Sequence, residues 1–164
     1  IFNLLGPLTN PAGASRQVVG VNRPDLTAKL ARVLQQLGTQ RAMVVHGLDG
    51  LCELTISGPS QITELLGQQL RTYNVDPAEL GLPTAPLKEL LIDSPQASAR
   101  AVQQVLDGQS GPRRNIVLLN AAAALVVAGL ASDLPEGIDR AARAIDTGAA
   151  RQTLELWTRT SHGR

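Results

Sequence analysis

The sequence is short of several residue types, and each shortage argues against a class of protein. A single cysteine cannot form a disulfide within the chain, which favours a reducing compartment and predicts a cytoplasmic protein. Aromatic residues make up 2% of the chain, too few to stack the bases of single-stranded nucleic acid. The net charge of +1 provides no strong attraction to nucleic acid or to an anionic membrane surface.

The chain also has no apolar run long enough to span a membrane. The longest run, Ile116–Ala131, is interrupted by Asn120 and is shorter than the ~18 residues of a spanning helix. It is therefore predicted to be a buried core helix. With 164 residues, 43% of them apolar, the chain is expected to form one globular domain with a sizeable core.

Strand and helix patterns alternate at the start of the chain. The segment Gly6–Gly13 contains two prolines and two glycines, which predicts a loop. The β-branched run Gln17–Val21 predicts a strand, and a helical pattern then runs from Pro24 to the stop signal at Gly38. With a second strand at Arg41–His46, this order is typical of a βαβ unit of a parallel sheet.

The remaining pattern predicts two further sheet segments and then several helices. Glu53–Ser57 is a third candidate strand, and Gln61–Val75 is interpreted as a hairpin. Helical segments are predicted at Asp76–Leu80, at Ser94–Leu106 with Ser94 as the cap, at Asn115–Leu130, and from Ser132 or Asp133. A last helix at Ala149–Thr158 is expected to close the fold, with Leu154 and Trp157 on one face. The fold class is therefore α/β, with a mixed, mostly parallel sheet flanked by helices. The predicted strands are too few to cover all of these helices. We therefore expect the chain to be an incomplete fragment of a larger α/β domain.

The segment His46–Thr55, HGLDGLCELT, is the densest cluster of chemically capable side chains, and three interpretations are open. Cys52 is a candidate nucleophile with His46 as its base, although residue types alone favour a structural turn over such a dyad. Asp49 and Glu53 form a candidate magnesium site, because ligands gather beyond the carboxyl ends of parallel strands. The third interpretation is a turn whose carboxylates are simply solvated.

The glycine- and proline-rich segment GPLTNPAG is the second candidate site. It follows the apolar residues IFNLL, which are expected to anchor it. Its composition fixes a particular backbone path, which suits a loop that approaches a flat ligand closely. Neither a Walker loop nor the Rossmann glycine pattern occurs in the sequence.

Five segments of the chain share their sequence and their order with one known family. They are IFNLLGPLTNPAGA, VVHGLDGLCEL, DPAELGL, GPRRNIVLLNAAAALVVAGLA and AIDTGAA, and together they resemble anthranilate phosphoribosyltransferases. The resemblance implies transfer of phosphoribose from phosphoribosyl pyrophosphate (PRPP) to anthranilate, with release of pyrophosphate, in tryptophan biosynthesis. It also implies a Mg²⁺ cofactor, a helical N-terminal domain, and a homodimer formed through that domain.

Carried over by position, the resemblance assigns roles to single residues. Gly6 and Pro7 would line the anthranilate channel, and Glu53 would be the second member of an aspartate–glutamate pair that binds magnesium. Cys52 stands where the family has the aspartate. Residues 1–164 would form the C-terminal part of the α/β domain, without the helical domain and the glycine-rich PRPP loop, so this chain alone is expected to be inactive.

Departures from the family pattern keep two other functions open. Besides Cys52, Ile92-Asp93-Ser94 replaces a glycine–glycine–aspartate, Ser98 an asparagine and Asn115 an aspartate. One alternative is a diverged paralogue acting on another aromatic substrate. The other is a non-catalytic protein of the same fold that binds a nucleotide or nucleic acid, although the scattering of basic residues among acidic ones disfavours nucleic acid.

Overall fold

The structure is a computed structural model that describes residues 6–163. The apolar residues 1–5, expected to anchor the first loop, lie outside this range. The described chain has four strands and five α-helices. The strands are β1 (Arg16–Gly20), β2 (Arg41–Gly47), β3 (Ser60–Leu66) and β4 (Gln69–Val75), and the α-helices are α1 (Asp25–Gln36), α2 (Pro95–Leu106), α3 (Pro112–Ala128), α4 (Leu134–Asp146) and α5 (Ala149–Ser161).

The predicted βαβ unit is confirmed. β1 and β2 pair in parallel, with Arg16 opposite Arg41 and Gly20 opposite Val45, and α1 makes the crossover between them. Pro24 precedes α1, where its fixed φ suits a helix start. Gly38 follows α1 with a φ of +86°, a left-handed conformation that glycine adopts without strain.

The predicted hairpin is also confirmed, and it changes the balance of strand directions. β3 pairs antiparallel with both β2 and β4, around a turn in which Gly67 has a φ of +58°. The strand order is β1-β2-β3-β4, so the sheet is mixed as predicted. Two of its three pairings are antiparallel, however, and the expectation of a mostly parallel sheet is wrong for the described strands. The physical reason is that a loop, rather than a crossover helix, joins β2 to β3.

The third candidate strand, Glu53–Ser57, is wrong, because this segment is a loop in the structure. Its backbone pairs with side chains and with the N–H of Ala85, a loop residue, instead of with a neighbouring strand. The Leu54 backbone bonds with the side chain of Asn120, and the Thr55 N–H donates to the Ser60 hydroxyl. Alternating apolar residues predict burial on one face, but they do not determine which groups satisfy the backbone.

Helices cover both faces of the sheet. Successive residues of β2 point to opposite sides. Ala42 and Val44 belong to a core with Leu30 and Leu34 of α1. Met43 and Val45 belong to a larger core with α3 and α4, whose members include the following buried residues: Leu118, Leu119, Ala122, Val126, Ile138 and Ala141. The apolar run of the sequence is therefore a core helix, as predicted.

The alanine-rich middle of α3 lets α4 approach closely. A Cβ built on Gly137 of α4 would lie 2.8 Å from the Ala122 Cα. Larger side chains at either position would separate the two helices. None of the helices within residues 6–163 combines the length and apolar character needed to cross a membrane.

The outer elements are covered less completely. β1 has a single neighbour among the described strands, and the side chain of Val18 on this edge is exposed. α5, expected to close the fold through Leu154 and Trp157, contains no buried residue, and Trp157 is 71% exposed. Two of the predicted helix starts have side-chain caps: Ser94 and Asp133 accept hydrogen bonds from the N–H groups of Ala97 and Glu136.

Candidate functional site

Two loops contain the residues singled out from the sequence. The first loop (residues 6–15) precedes β1, and the second loop (residues 48–59) joins β2 to β3. The second loop lies across the carboxyl end of β1. A Cβ added to Gly20, the last residue of that strand, would overlap the Cys52 carbonyl oxygen and lie 2.8 Å from its carbonyl carbon. Cys52 and Glu53 are thus placed at the carboxyl ends of the two parallel strands.

His46 has a structural role at this end of the sheet. Its side chain is 5% exposed, and its Nδ1 lies 2.8 Å from the Val21 carbonyl oxygen. This bond ties the end of β2 to the residue that follows β1. Cys52 is exposed, and within the described residues no hydrogen bond joins it to His46. The geometry therefore does not support a cysteine–histidine dyad.

Asp49 shapes the second loop, and each of its carboxylate oxygens accepts a hydrogen bond from within that loop. Its Oδ1 accepts from the Leu51 N–H at 3.1 Å, and its Oδ2 accepts from the Thr55 hydroxyl at 2.7 Å. The Thr55 Oγ1 in turn accepts from the Ser57 N–H at 3.0 Å. Thr55 is fully buried, so these bonds satisfy groups that water cannot reach.

The side-chain amide of Asn120 attaches the second loop to α3. Its Oδ1 accepts from the Leu54 N–H at 3.1 Å, and its Nδ2 donates to the Leu54 carbonyl oxygen at 2.8 Å. A third bond joins Nδ2 to the Ile116 carbonyl oxygen at 3.0 Å. Leu54 itself is 0% exposed. The residue directly after Glu53 is therefore fixed both by burial and by two backbone bonds.

Glu53 is the residue of the second loop best suited to bind a metal. It is exposed, and within residues 6–163 its carboxylate has no hydrogen bond or ion pair. No group of three or more acidic, histidine or cysteine side chains in the described chain could hold a metal ion alone. This donor set fits a Mg²⁺ ion that takes one protein carboxylate and receives its other oxygens from water and substrate phosphates. It does not fit a site in which the protein alone provides all the metal ligands, and the adjacent Cys52 thiol is a poor ligand for magnesium.

The first loop lies at the other end of the parallel pair. Pro7 and Leu8 line a hollow of about 180 Å³ with Leu37, Gly38 and Thr39, which precede β2. The Ser15 carbonyl oxygen accepts from the Gln40 and Arg41 N–H groups at the amino end of β2. Glu53 lies beyond the carboxyl end of β1, a strand about 13 Å long at 3.3 Å per residue. Gly6 and Pro7 are therefore not brought together with Glu53, and their assignment to substrate binding stays a prediction.

An apolar groove adjoins the second loop. Its volume is about 430 Å³, and Leu51, two residues before Glu53, lies at its edge. Most of its lining comes from α2, from the start of α3 and from the segment before α2, through residues such as Leu91, Val102 and Val117. Arg113 is the one charged residue in this lining. The groove extends the candidate site on the side of Leu51 and is open to solvent.

Two residues that build the site were not singled out as functional by sequence reasoning. Gly20 appeared only as part of a strand pattern, and Asn120 only as an interruption of an apolar run. The signal for Asn120 was present, because a polar residue inside a buried helix needs a partner for its side-chain amide. The partner itself, 66 residues away, is not visible in the sequence.

Comparison with known proteins identifies close relatives along nearly the whole chain. Residues 1–151 match the model of the glycosyl transferase family, a/b domain. Anthranilate phosphoribosyltransferase of Hyphomonas neptunium is 49% identical over 161 residues, 98% of this chain and 47% of the relative. The enzyme of the same name from Rhodospirillum rubrum is 51% identical over 154 residues, 94% of this chain and 44% of the relative. The chain thus spans about half the length of the curated relatives it matches.

Solved structures of anthranilate phosphoribosyltransferases also resemble this chain along nearly its whole length. The anthranilate phosphoribosyltransferase of Thermus thermophilus superimposes with a TM-score of 0.86 and 39% identity, over 95% of this chain and 46% of that one. The Saccharomyces cerevisiae enzyme in complex with PRPP and Mg superimposes with a TM-score of 0.83 and 27% identity, over 94% of this chain and 45% of that one. The similarity therefore extends over nearly all of this chain, and one of these relatives was solved in complex with PRPP and Mg.

Proposed function

Because the chain belongs to the glycosyl transferase family, through the α/β domain of that family, we propose that it takes part in the transfer of phosphoribose from PRPP to anthranilate. The supporting observation is the exposed carboxylate of Glu53, which has no partner within residues 6–163 and lies at the carboxyl end of the parallel strands. The names of the relatives and the PRPP–Mg complex of the yeast protein support the same assignment. We further propose that residues 1–164 are the C-terminal part of the α/β domain, beside a separate helical domain.

In this reaction the bond from the ribose carbon to pyrophosphate breaks, and its electron pair leaves with pyrophosphate. A bond forms from the same carbon to the anthranilate nitrogen, which loses a proton. A bound Mg²⁺ would neutralise part of the charge that develops on the leaving pyrophosphate. Glu53 would hold that ion, and the second loop would keep the Glu53 carboxylate at the surface where it meets the substrate.

Gly6 and Pro7 are proposed to bind the acceptor, as the family resemblance implies. Backbone at a glycine can approach a flat ring closely, and the 3₁₀ turn Gly6–Leu8 fixes the path of this segment. We also propose a cytoplasmic homodimer, formed through the helical domain that the resemblance implies. Sedimentation of the full-length protein measures its oligomeric state.

The test is pyrophosphate release by the full-length protein with PRPP, anthranilate and Mg²⁺. Glu53→Gln should raise the Mg²⁺ concentration needed for half-maximal rate by about tenfold, within the range for single changes around a metal site. Glu155→Gln, an exposed glutamate of α5, is the matched control and should leave this concentration unchanged. If the protein binds PRPP but releases no pyrophosphate with anthranilate, the proposal fails.

Cys52 favours one second candidate, a diverged relative that uses another aromatic acceptor. A thiol in place of a carboxylate weakens one magnesium position and leaves Glu53 and the substrate oxygens. The same assay with other aromatic amines separates the two candidates. Faster release with another amine than with anthranilate would support the diverged relative.

A further inference from the structure

We propose that Asn120 is a positioning residue for the metal-binding carboxylate of Glu53. Its side-chain amide fixes the backbone of Leu54, and this bonding sets where the neighbouring Glu53 carboxylate stands. The inference rests on the proposed function of Glu53 and adds to it a residue of α3 that lies far away in the sequence.

The geometry leaves one orientation of the Asn120 amide. Its NH2 group faces two acceptors, the carbonyl oxygens of Leu54 and Ile116, and its oxygen faces one donor, the Leu54 N–H. Rotating the amide by half a turn would set oxygen against two carbonyl oxygens and NH2 against an N–H. All three bonds therefore depend on an asparagine, and no other residue of the same shape supplies both groups.

The bonding imitates a strand neighbour. In a sheet, one residue donates its N–H to a partner and accepts at its C=O, and Asn120 provides both functions to Leu54 through one side chain. The segment Glu53–Ser57 alternates like a strand but has no strand beside it. Asn120 takes the place of that missing strand at a single residue, and α3 provides a buried, regular support for it.

The placement of Glu53 depends on its two neighbours. Its carboxylate has no partner within residues 6–163, so side-chain bonds do not orient it. On one side the Cys52 carbonyl lies against Gly20, and on the other side Leu54 is fixed by Asn120. Loss of the Asn120 bonds would free the backbone at Leu54 and enlarge the volume that Glu53 samples. A ligand that moves more loses more entropy when it binds the metal.

The experiment measures metal binding and local structure separately in the full-length protein. Mn²⁺ replaces Mg²⁺ as the probe, and its affinity in the presence of PRPP is read from water-proton relaxation. Hydrogen exchange at the Leu54 amide reports the bond with Asn120. The variants are Asn120→Asp, which keeps the size but sets an oxygen against two carbonyl groups, and Asn120→Ala. Val126→Ala is the control for stability, because Val126 is buried in the same helix and is not bonded to the second loop.

Both Asn120 variants should speed exchange at Leu54 and weaken Mn²⁺ binding by about tenfold, the lower end for residues behind a metal ligand. Val126→Ala should lower the unfolding midpoint and change neither readout. Fast exchange at Leu54 with Mn²⁺ affinity within twofold of the parent would overturn the inference and leave the proposed function standing. A parent protein that binds no Mn²⁺ with PRPP would overturn both.

A variant that fails to fold does not remove the test. In the parent, the Leu54 amide should exchange as slowly as the amides of β2, whereas the exposed Glu53 amide should exchange fast. Exchange at Leu54 as fast as at Glu53 would show that the Asn120 bonds are not formed, and would overturn the inference.

Discussion

The first and second loops look alike in the sequence and differ in what determines their shape. Both contain glycine, proline and an Asx turn, in which a side-chain oxygen accepts from the N–H two residues later. The first loop has no buried residue, and most of its bonds join near neighbours. The second loop buries Leu54, Thr55 and Ile56 completely and bonds with α3. Local preferences therefore shape the first loop, and distant contacts shape the second.

The largest expected difference in stability is between Gly20, which lies against the second loop, and Gly13, which lies within the first loop. Gly20→Ala would place a Cβ against the Cys52 carbonyl group, and backbone on both sides prevents relief. We expect a loss of about 3 kcal/mol or more in the free energy of unfolding, at the upper end for overpacking. Gly13→Ala has open space around its Cβ but a φ of +60°, and should cost about 1 kcal/mol. Urea unfolding of both variants measures the difference, and equal costs would contradict the comparison.

The two Asx turns allow the two loops to be compared at equivalent positions, Asp49 in the second loop and Asn10 in the first. Asp49→Ala removes bonds to the Leu51 N–H and to the buried Thr55 hydroxyl, and should cost about 2 kcal/mol. Asn10→Ala removes one exposed bond, to the Ala12 N–H, and should cost about 0.5 kcal/mol. Denaturant midpoints test the pair. A cost for Asn10→Ala as large as that for Asp49→Ala would show that the bond to the buried Thr55 hydroxyl adds nothing.

The loops should also differ in their effect on metal binding. Cys52→Asp adds a hard oxygen ligand beside Glu53 and should raise Mg²⁺ affinity in the presence of PRPP by about tenfold. Cys52→Ala is the matched control and should bring no gain. Pro7→Ala, at the opposite end of β1, should leave Mg²⁺ affinity unchanged. A Mg²⁺ titration of the full-length protein with PRPP measures these affinities. An unchanged affinity for Cys52→Asp would refute the proposed role of position 52 as a metal-ligand position.

The smallest expected effect on stability concerns Glu136, whose hydrogen bonds all join residues close to it in the sequence. Glu136 in the first turn of α4 accepts from the Ser132 N–H and hydroxyl and from Arg140, which lowers its pKa to about 2. A lowered folded-state pKa stabilises the fold above the ordinary value of 4.5, and this contribution is lost as the pH falls towards 2. Glu136→Gln should therefore flatten the acid side of the stability–pH curve slightly. An unchanged curve between pH 4.5 and 2 would contradict this assignment.

The distinction between local and distant contacts also explains which features could be predicted from the sequence. The caps at Ser94 and Asp133, the hairpin and the βαβ unit follow from neighbouring residues, and all are confirmed. The alternating pattern of Glu53–Ser57 predicts a strand where the structure has a loop, because alternation reports burial and not the identity of the bonding partner. Gly20 and Asn120 could not be recognised as parts of the site, since their roles come from residues that the fold brings close.

The bond between Asn120 and Leu54 also has a consequence for the order of folding. The β3–β4 hairpin joins neighbouring segments, and such hairpins form within about 1–10 μs. The second loop must wait until α3 has docked, because its partner lies 66 residues further along the chain. We therefore expect the position of Glu53 to be fixed only once α3 has docked against the sheet, so the proposed metal binding requires the assembled domain and not the hairpin alone.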